Sequence, residues 1–169
     1  MKEVLTIGFV ATAISPYFSE EQQVRIKSEN HLKKIIAKYD AKLICFHKTI
    51  FSKEDSVEAE NFFKNKIDFL ILQTSSCSSG EQLYPLCNIT NKMGLWAVPD
   101  LENEGDVKLH SLVSVSHYLG IIKKILHEKK IKTKWFYNYG DTDEFKNKFL
   151  ITLRSLVCLL YTSPSPRDV

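Results

Sequence analysis

The stretch Ile67-Asp68-Phe69-Leu70-Ile71-Leu72-Gln73-Thr74-Ser75-Ser76-Cys77-Ser78-Ser79-Gly80-Glu81 constrains this chain more than any other. A short apolar run ends abruptly in a loop of hydroxyls and an amide, and a helical pattern follows. A run that is apolar on every position fits a strand covered on both faces, as in a parallel sheet. In open parallel sheets ligands collect beyond the carboxyl ends of the strands, where residues 73–79 are expected. The loop holds no carboxylate, histidine or lysine able to run a reaction. Its chemistry is that of binding.

The rest of the chain repeats the alternation. Residues 4–11 read as a first buried strand. Ser19 and Gln22 form a capping-box pattern, opening a helix to about Tyr39 with Val24, Leu32, Ile35, Ile36 and Tyr39 on one face. Residues 41–47 are a second strand, and a helix starting between Ser52 and Asp55 turns Val57, Ala59, Phe62 and Phe63 to the core. After the opening stretch, Ser79 and Gln82 repeat the capping signal before a helix with Leu83, Leu86 and Cys87 inward. Residues 94–99 are a fourth strand stopped by Pro99, followed by an acidic loop over 101–106. Leu112, Val115, Leu119, Ile122 and Ile125 recur at helical spacing. Residues 132–137 are a fifth strand, and Asp141 with Glu144 caps a last helix carrying Phe145, Phe149, Leu153 and Leu156.

Five alternations of strand and helix predict an α/β fold: a three-layer α/β/α domain with a five-stranded parallel sheet, flavodoxin-like or Rossmann-like. With 169 residues there is one domain and enough chain for a real core. Residues 158–169 break the pattern, with prolines at 164 and 166, and resemble one reading frame of a transposase adapter used in preparing DNA sequencing libraries. The expectation is an α/β domain over 1–157, cut from a longer protein, with a non-native or disordered tail over 158–169.

Charge and composition exclude several classes. A formal net charge of +3 argues for neither a nucleic-acid partner nor a membrane surface. No apolar stretch reaches the roughly 20 residues that span a bilayer. Cys45, Cys77, Cys87 and Cys158 lack Cys-x-x-Cys spacing, which fits reduced thiols in a cytoplasmic protein. No strand is followed by Gly-x-Gly-x-x-Gly or by a Gly-Lys-Ser/Thr loop, so nucleotide binding by those routes is unsupported. The first and third strands end in Ala11-Thr12-Ala13 and Gln73-Thr74-Ser75 rather than in the acids of a phosphoacceptor receiver domain. No Gly-x-Ser-x-Gly elbow surrounds any serine of the loop, which reads as cap or hydrogen-bonding surface. His31, His47, His110, His117 and His127 are scattered over separate elements, as surface or capping groups. The lysines over 123–134 read as a solvated helix end, where cations complement the macrodipole. Trp96, near a strand end beside Pro99, is the aromatic with a role to consider beyond packing.

Val57-Glu58-Ala59-Glu60-Asn61-Phe62-Phe63, residues 68–75, Ser78-Ser79-Gly80-Glu81 and Gly94-Leu95-Trp96-Ala97-Val98-Pro99 together resemble the amino-terminal domain of the L-fucose/L-arabinose isomerase-like family. Lys134-Trp135-Phe136-Tyr137 followed by Gly140 fits as well, so the resemblance covers about residues 4 to 156. Asp100 departs from it, standing where a glutamate is expected, and Asn138-Tyr139 are inserted before Gly140.

The resemblance implies a parent enzyme that interconverts an aldose and a ketose, an intramolecular oxidoreductase using manganese or a similar divalent metal. The acids and histidine that hold this metal belong to later domains, so no catalytic or metal-binding residue is expected here and this piece alone is expected to be inactive. The amino-terminal domain is implied to be an accessory wall in a homo-oligomer, shaping the sugar end of a neighbouring subunit's active site. The substrate-binding candidates are then Tyr17, Gln73, Thr74, Ser75, Ser79 and Trp96 at the strand ends, since a polyol is recognised by hydrogen bonds and an aromatic face. The alternative is a stand-alone sugar-binding or oligomerisation domain without catalysis, with neither nucleic acid nor membrane as partner.

Overall fold

The computed structural model describes residues 4–14, 19–100 and 110–162, giving the backbone alone for 19–22 and 160–162. Tyr17, the Ser19 and Gln22 side chains, the acidic loop over 101–106 and residues 163–169 lie outside the described residues. Five strands alternate with five α-helices: β1 Leu5–Thr12, α1 Ser19–Ile36, β2 Ala41–Ile50, α2 Lys53–Phe63, β3 Phe69–Thr74, α3 Gly80–Leu86, β4 Lys92–Ala97, α4 Ser111–Lys124, β5 Lys132–Tyr137 and α5 Asp143–Thr162. All strand pairs are parallel, in the order β2-β1-β3-β4-β5. This is the flavodoxin-like doubly wound order, whose connections reverse direction between β1 and β3.

Each face of the sheet has its own core. Phe9, Phe69, Ile71, Trp96 and Phe136 pack under α1 and α5, against Val24, Leu32, Phe145, Phe149 and Leu153. Val10, Leu70, Leu72, Met93 and Leu95 pack under α2, α3 and α4, against Phe63, Leu83, Val115, Tyr118 and Ile122. β3 is buried at all six positions, which is why its sequence shows no alternation. Gly94 is a glycine because two rings close over it. A Cβ there would lie 2.8 Å from both Phe136 and Phe69.

Several boundaries and faces differ from expectation for physical reasons. β2 runs to Ile50 rather than stopping at 47, because it bulges: Phe9 faces Cys45 and Ala11 faces Thr49, so Val10 alone lies opposite 46–48. The second helix opens as expected on Ser52, whose hydroxyl accepts from the Asp55 amide at 3.1 Å. The last helix is capped by Thr142 instead of Asp141, its Oγ1 accepting from the Phe145 amide at 3.3 Å. α5 continues to Thr162, so its last residues are helical within the segment 158–169 where a non-native or disordered tail is expected. Val57 is 42% exposed instead of core-facing. Leu112 and Ile125, expected inward on the fourth helix, are 45% and 60% exposed. Ser111, Ser114, Tyr118 and Ile121 take the buried face with Val115 and Ile122. Among the described residues no helix is long and apolar enough to cross a membrane.

Candidate functional site

At the β1/β3 switch point, where this topology opens a crevice for ligands, the side chains bond to one another. Thr12 at the end of β1 shares a hydrogen bond of 3.0 Å with the Ser78 hydroxyl. The Ser78 amide donates to the Ser114 hydroxyl of α4 at 2.8 Å. The Thr74 hydroxyl donates to the Ser111 carbonyl at 2.8 Å, and the Ser111 hydroxyl donates to the Thr74 carbonyl while accepting from the Val98 amide at 2.9 Å. Gln82 reaches across from α3, donating to the Ala13 carbonyl at 2.7 Å, and its Oε1 accepts from the Ser79 amide at 3.0 Å. The Tyr118 phenol donates to the Ser79 carbonyl at 3.2 Å. Burial pushes that phenol up to about 12, so it stays a donor at neutral pH. Strand ends and loop are thus stitched to α3 and α4 by a buried hydroxyl and amide network.

The expected sugar contacts sit inside this fabric. Gln73, Thr74 and Ser75 are all 0% exposed. The Gln73 amide nitrogen donates to the Ser28 hydroxyl at 2.6 Å, and the Ser75 hydroxyl donates to the Gln73 Oε1 at 3.2 Å. Trp96 is also 0% exposed. Its ring stacks on Phe145 at 4.3 Å and its indole N–H donates to the Asn138 carbonyl at 2.8 Å, so neither ring face is open to a ligand. Ser79 is exposed at the start of α3. Of the candidates described, Ser79 alone presents its side chain to solvent; Gln73, Thr74, Ser75 and Trp96 act on the rim from behind.

The open space lies on the other side of the sheet, between α1 and the ends of β4 and β5. A cleft of about 570 Å³ is lined by Lys27, Ser28 and His31 from α1, Pro99 and Asp100 after β4, and Asn138, Tyr139 and Asp141 after β5. Asn138 and Tyr139 shape it. Asn138 adopts φ 99°, a left-handed conformation that asparagine tolerates better than most residues, and its side-chain amide donates to Glu144 at 2.7 Å. The Tyr139 hydroxyl donates to the Pro99 carbonyl at 2.9 Å, tying the two strand ends together. Asp100 accepts from the His110 amide at 3.1 Å. Ser28 links the cleft to Gln73, and so to the buried network.

Sequence reasoning missed Ser28, Asn138, Tyr139 and Asp141. The strand-end rule that points to residues 73–79 points equally to the turn after β5. Val24, Ser28 and Leu32 stand at spacings of four, which puts Ser28 on the buried stripe of α1. Among the described residues no three His, Cys, Asp or Glu side chains gather as a metal-ion set. The divalent metal implied by the resemblance therefore has no fitting donor set in these residues.

No protein-family description and no curated protein matches the sequence. Among solved structures, an oxidoreductase from Corynebacterium diphtheriae shares 10% identity, covering 95% of this chain and 99% of that one, with a TM-score of 0.41. Strand order and connections define the fold without it.

Proposed function

We propose that the chain is the amino-terminal accessory domain of an aldose–ketose isomerase of the L-fucose/L-arabinose type, acting in carbohydrate metabolism. One observation carries this reading. The segments 68–75, 78–81 and 94–99, which bear the resemblance, form β3, the start of α3 and β4 with its exit, converging on one rim of the sheet. The same rim borders the cleft through Pro99 and Asp100. A neutral polyol suits that cleft, since a serine hydroxyl, a carboxamide and the carboxylates of Asp100 and Asp141 line it and can match a ladder of hydroxyls. The domain binds and shapes; the manganese-dependent proton transfer belongs to the later domains of the parent. The parent is a cytoplasmic homo-oligomer in which this rim faces a neighbouring subunit's sugar site.

The test is to read the gene onward past codon 157, express the whole protein, and assay L-fucose and L-arabinose isomerisation with manganese beside the 169-residue chain. The whole protein is expected to turn over one of the two sugars and the shorter chain neither. A whole protein without isomerase activity, or turnover by the chain alone, would refute the proposal. The cleft itself favours a second reading, a stand-alone polyol-binding domain. Calorimetry with pentoses and deoxyhexoses separates the two, because a lone accessory wall binds them negligibly.

A further inference from the structure

A second cavity, of about 380 Å³, runs between α1 and α5 beside the first, and the two share His31 and Asp141. Lys27, His31 and Lys34 stand at spacings of four and three and form one ridge along α1, which Lys38 extends from the turn just after the helix. The Gly140 backbone packs directly on His31, since a Cβ there would lie 2.8 Å from the histidine Cβ; this seats the imidazole where the cavities meet. Lys34 lines the smaller cavity from α1, Lys38 from the turn that follows it and Lys146 from α5, over a floor of Ile35, Tyr39 and Leu150.

The charges here are unbalanced. Elsewhere on α1 cations have acids: Glu29 takes Arg25 at 2.8 Å and Lys33 at 2.6 Å. Lys146 approaches Asp143 at 3.5 Å, but among the described residues Lys34 and Lys38 have no ion-pair partner. Three lysines therefore line a cavity whose one carboxylate is Asp141. Like charges converging on an apolar-floored concavity raise the local potential and draw an anion.

We propose that this cleft binds a small phosphorylated ligand, its phosphate among Lys34, Lys38 and Lys146 and its body over Ile35, Tyr39 and Leu150. A phosphate has the charge and acceptor oxygens to engage several lysines at once, which a neutral sugar lacks. The volume falls within the roughly 300–1,000 Å³ of small-molecule pockets. The site does not rest on the isomerase reading, because its lysines and its apolar floor lie outside the first cleft and select a different charge, although the two share His31 and Asp141.

Calorimetry on the full chain tests it, with glucose 6-phosphate, glucose, inorganic phosphate and a single-stranded oligonucleotide as probes. Glucose 6-phosphate is expected to bind at least about tenfold tighter than glucose and to weaken as salt rises. The double variant Lys34→Gln/Lys38→Gln, both exposed positions, is expected to lose about tenfold in affinity with an unchanged circular dichroism spectrum. Asp141→Asn removes the competing carboxylate and is expected to tighten binding. Lys123→Gln/Lys124→Gln, on α4 in the opposite layer, leaves it unchanged. Equal affinity for glucose and its phosphate, no binding of either phosphate probe, tighter binding of the oligonucleotide, or equal loss in the α4 variant would each overturn the proposal.

Discussion

The Ser111 hydroxyl joins three elements at once, donating to the Thr74 carbonyl of β3 and accepting from the Val98 amide after β4 while standing on α4. Ser111→Ala leaves the buried Val98 amide without that acceptor, and a lost buried hydrogen bond of this kind costs about 1–3 kcal/mol. Urea unfolding is expected to show that loss with an unchanged slope. Asp55 sets a second test. Burial alone would raise its carboxyl, but the hydrogen bond from Lys48 and those from the Phe51 and Ser52 amides outweigh it and hold the group below its ordinary 3.8. A lowered folded value means the stabilisation is present above pH 3.8 and disappears as pH falls below it. Thermal unfolding between pH 6 and 3 is expected to fall more steeply for the native chain than for Asp55→Asn at the acid end. Burial likewise pushes the Cys45 and Cys87 thiols up to about 12. At pH 8 both are expected to resist iodoacetamide in the folded chain and to react once it is unfolded, as mass spectrometry will register. The Ser111 bonds and the thiol burial were not legible in the sequence, because they depend on partners far along the chain; the Asp55 partners are local, and the helix start at Ser52 was legible from them.

At the scale of elements, the alternation of buried strands and amphipathic helices was legible, and the buried face of α4 was not. Its apolar residues suggest a stripe through Leu112, Leu119 and Ile125, yet the helix is rotated so that Ser111 and Ser114 reach the strand ends. Their hydroxyls are satisfied there, so they are buried at little cost, and Leu112 and Ile125 turn outward. The β2 bulge was invisible for a similar reason, since a register shift leaves the strand's composition unchanged. α5 was read well because aromatic residues admit one orientation. Phe145 is 1% exposed, stacks on Trp96 at 4.3 Å and lies 5.8 Å from both Phe136 and Phe149. Phe145→Ala opens a cavity among these rings and is expected to cost about 3–5 kcal/mol, read from chemical denaturation. It also unstacks Trp96, so a shift in tryptophan emission of the folded variant is expected with it.

For the molecule as a whole, the strand set was legible but the strand order was not, since other doubly wound orders arise from the same alternation. The hint lay in the lysines. Lys132 and Lys134 on β5, and Lys42 and Lys48 on β2, mark strands with a side turned to water, and these are the two edges of the sheet. β1, β3 and β4 carry no such charges over their buried spans and lie between neighbours. Stability should follow that order. β3 bonds to β1 and β4 and is covered on both faces, so its amides exchange only when the whole domain opens. β5 bonds to β4 alone, and Lys132, Lys134 and Trp135 are exposed. Native-state hydrogen exchange is expected to give the slowest amides in β1 and β3 and measurably faster ones in β5, whose opening releases α5 without unfolding the opposite layer. Slow exchange in β5 equal to that of β3 would mean that something covers this edge. The switch-point network predicts a further detail of the same experiment. The Ser78 and Val98 amides, held by hydroxyls of α4 rather than by sheet bonds, are expected to exchange together with α4. In Ser111→Ala the Val98 amide is expected to speed up while those of β3 keep the global rate, less the stability lost.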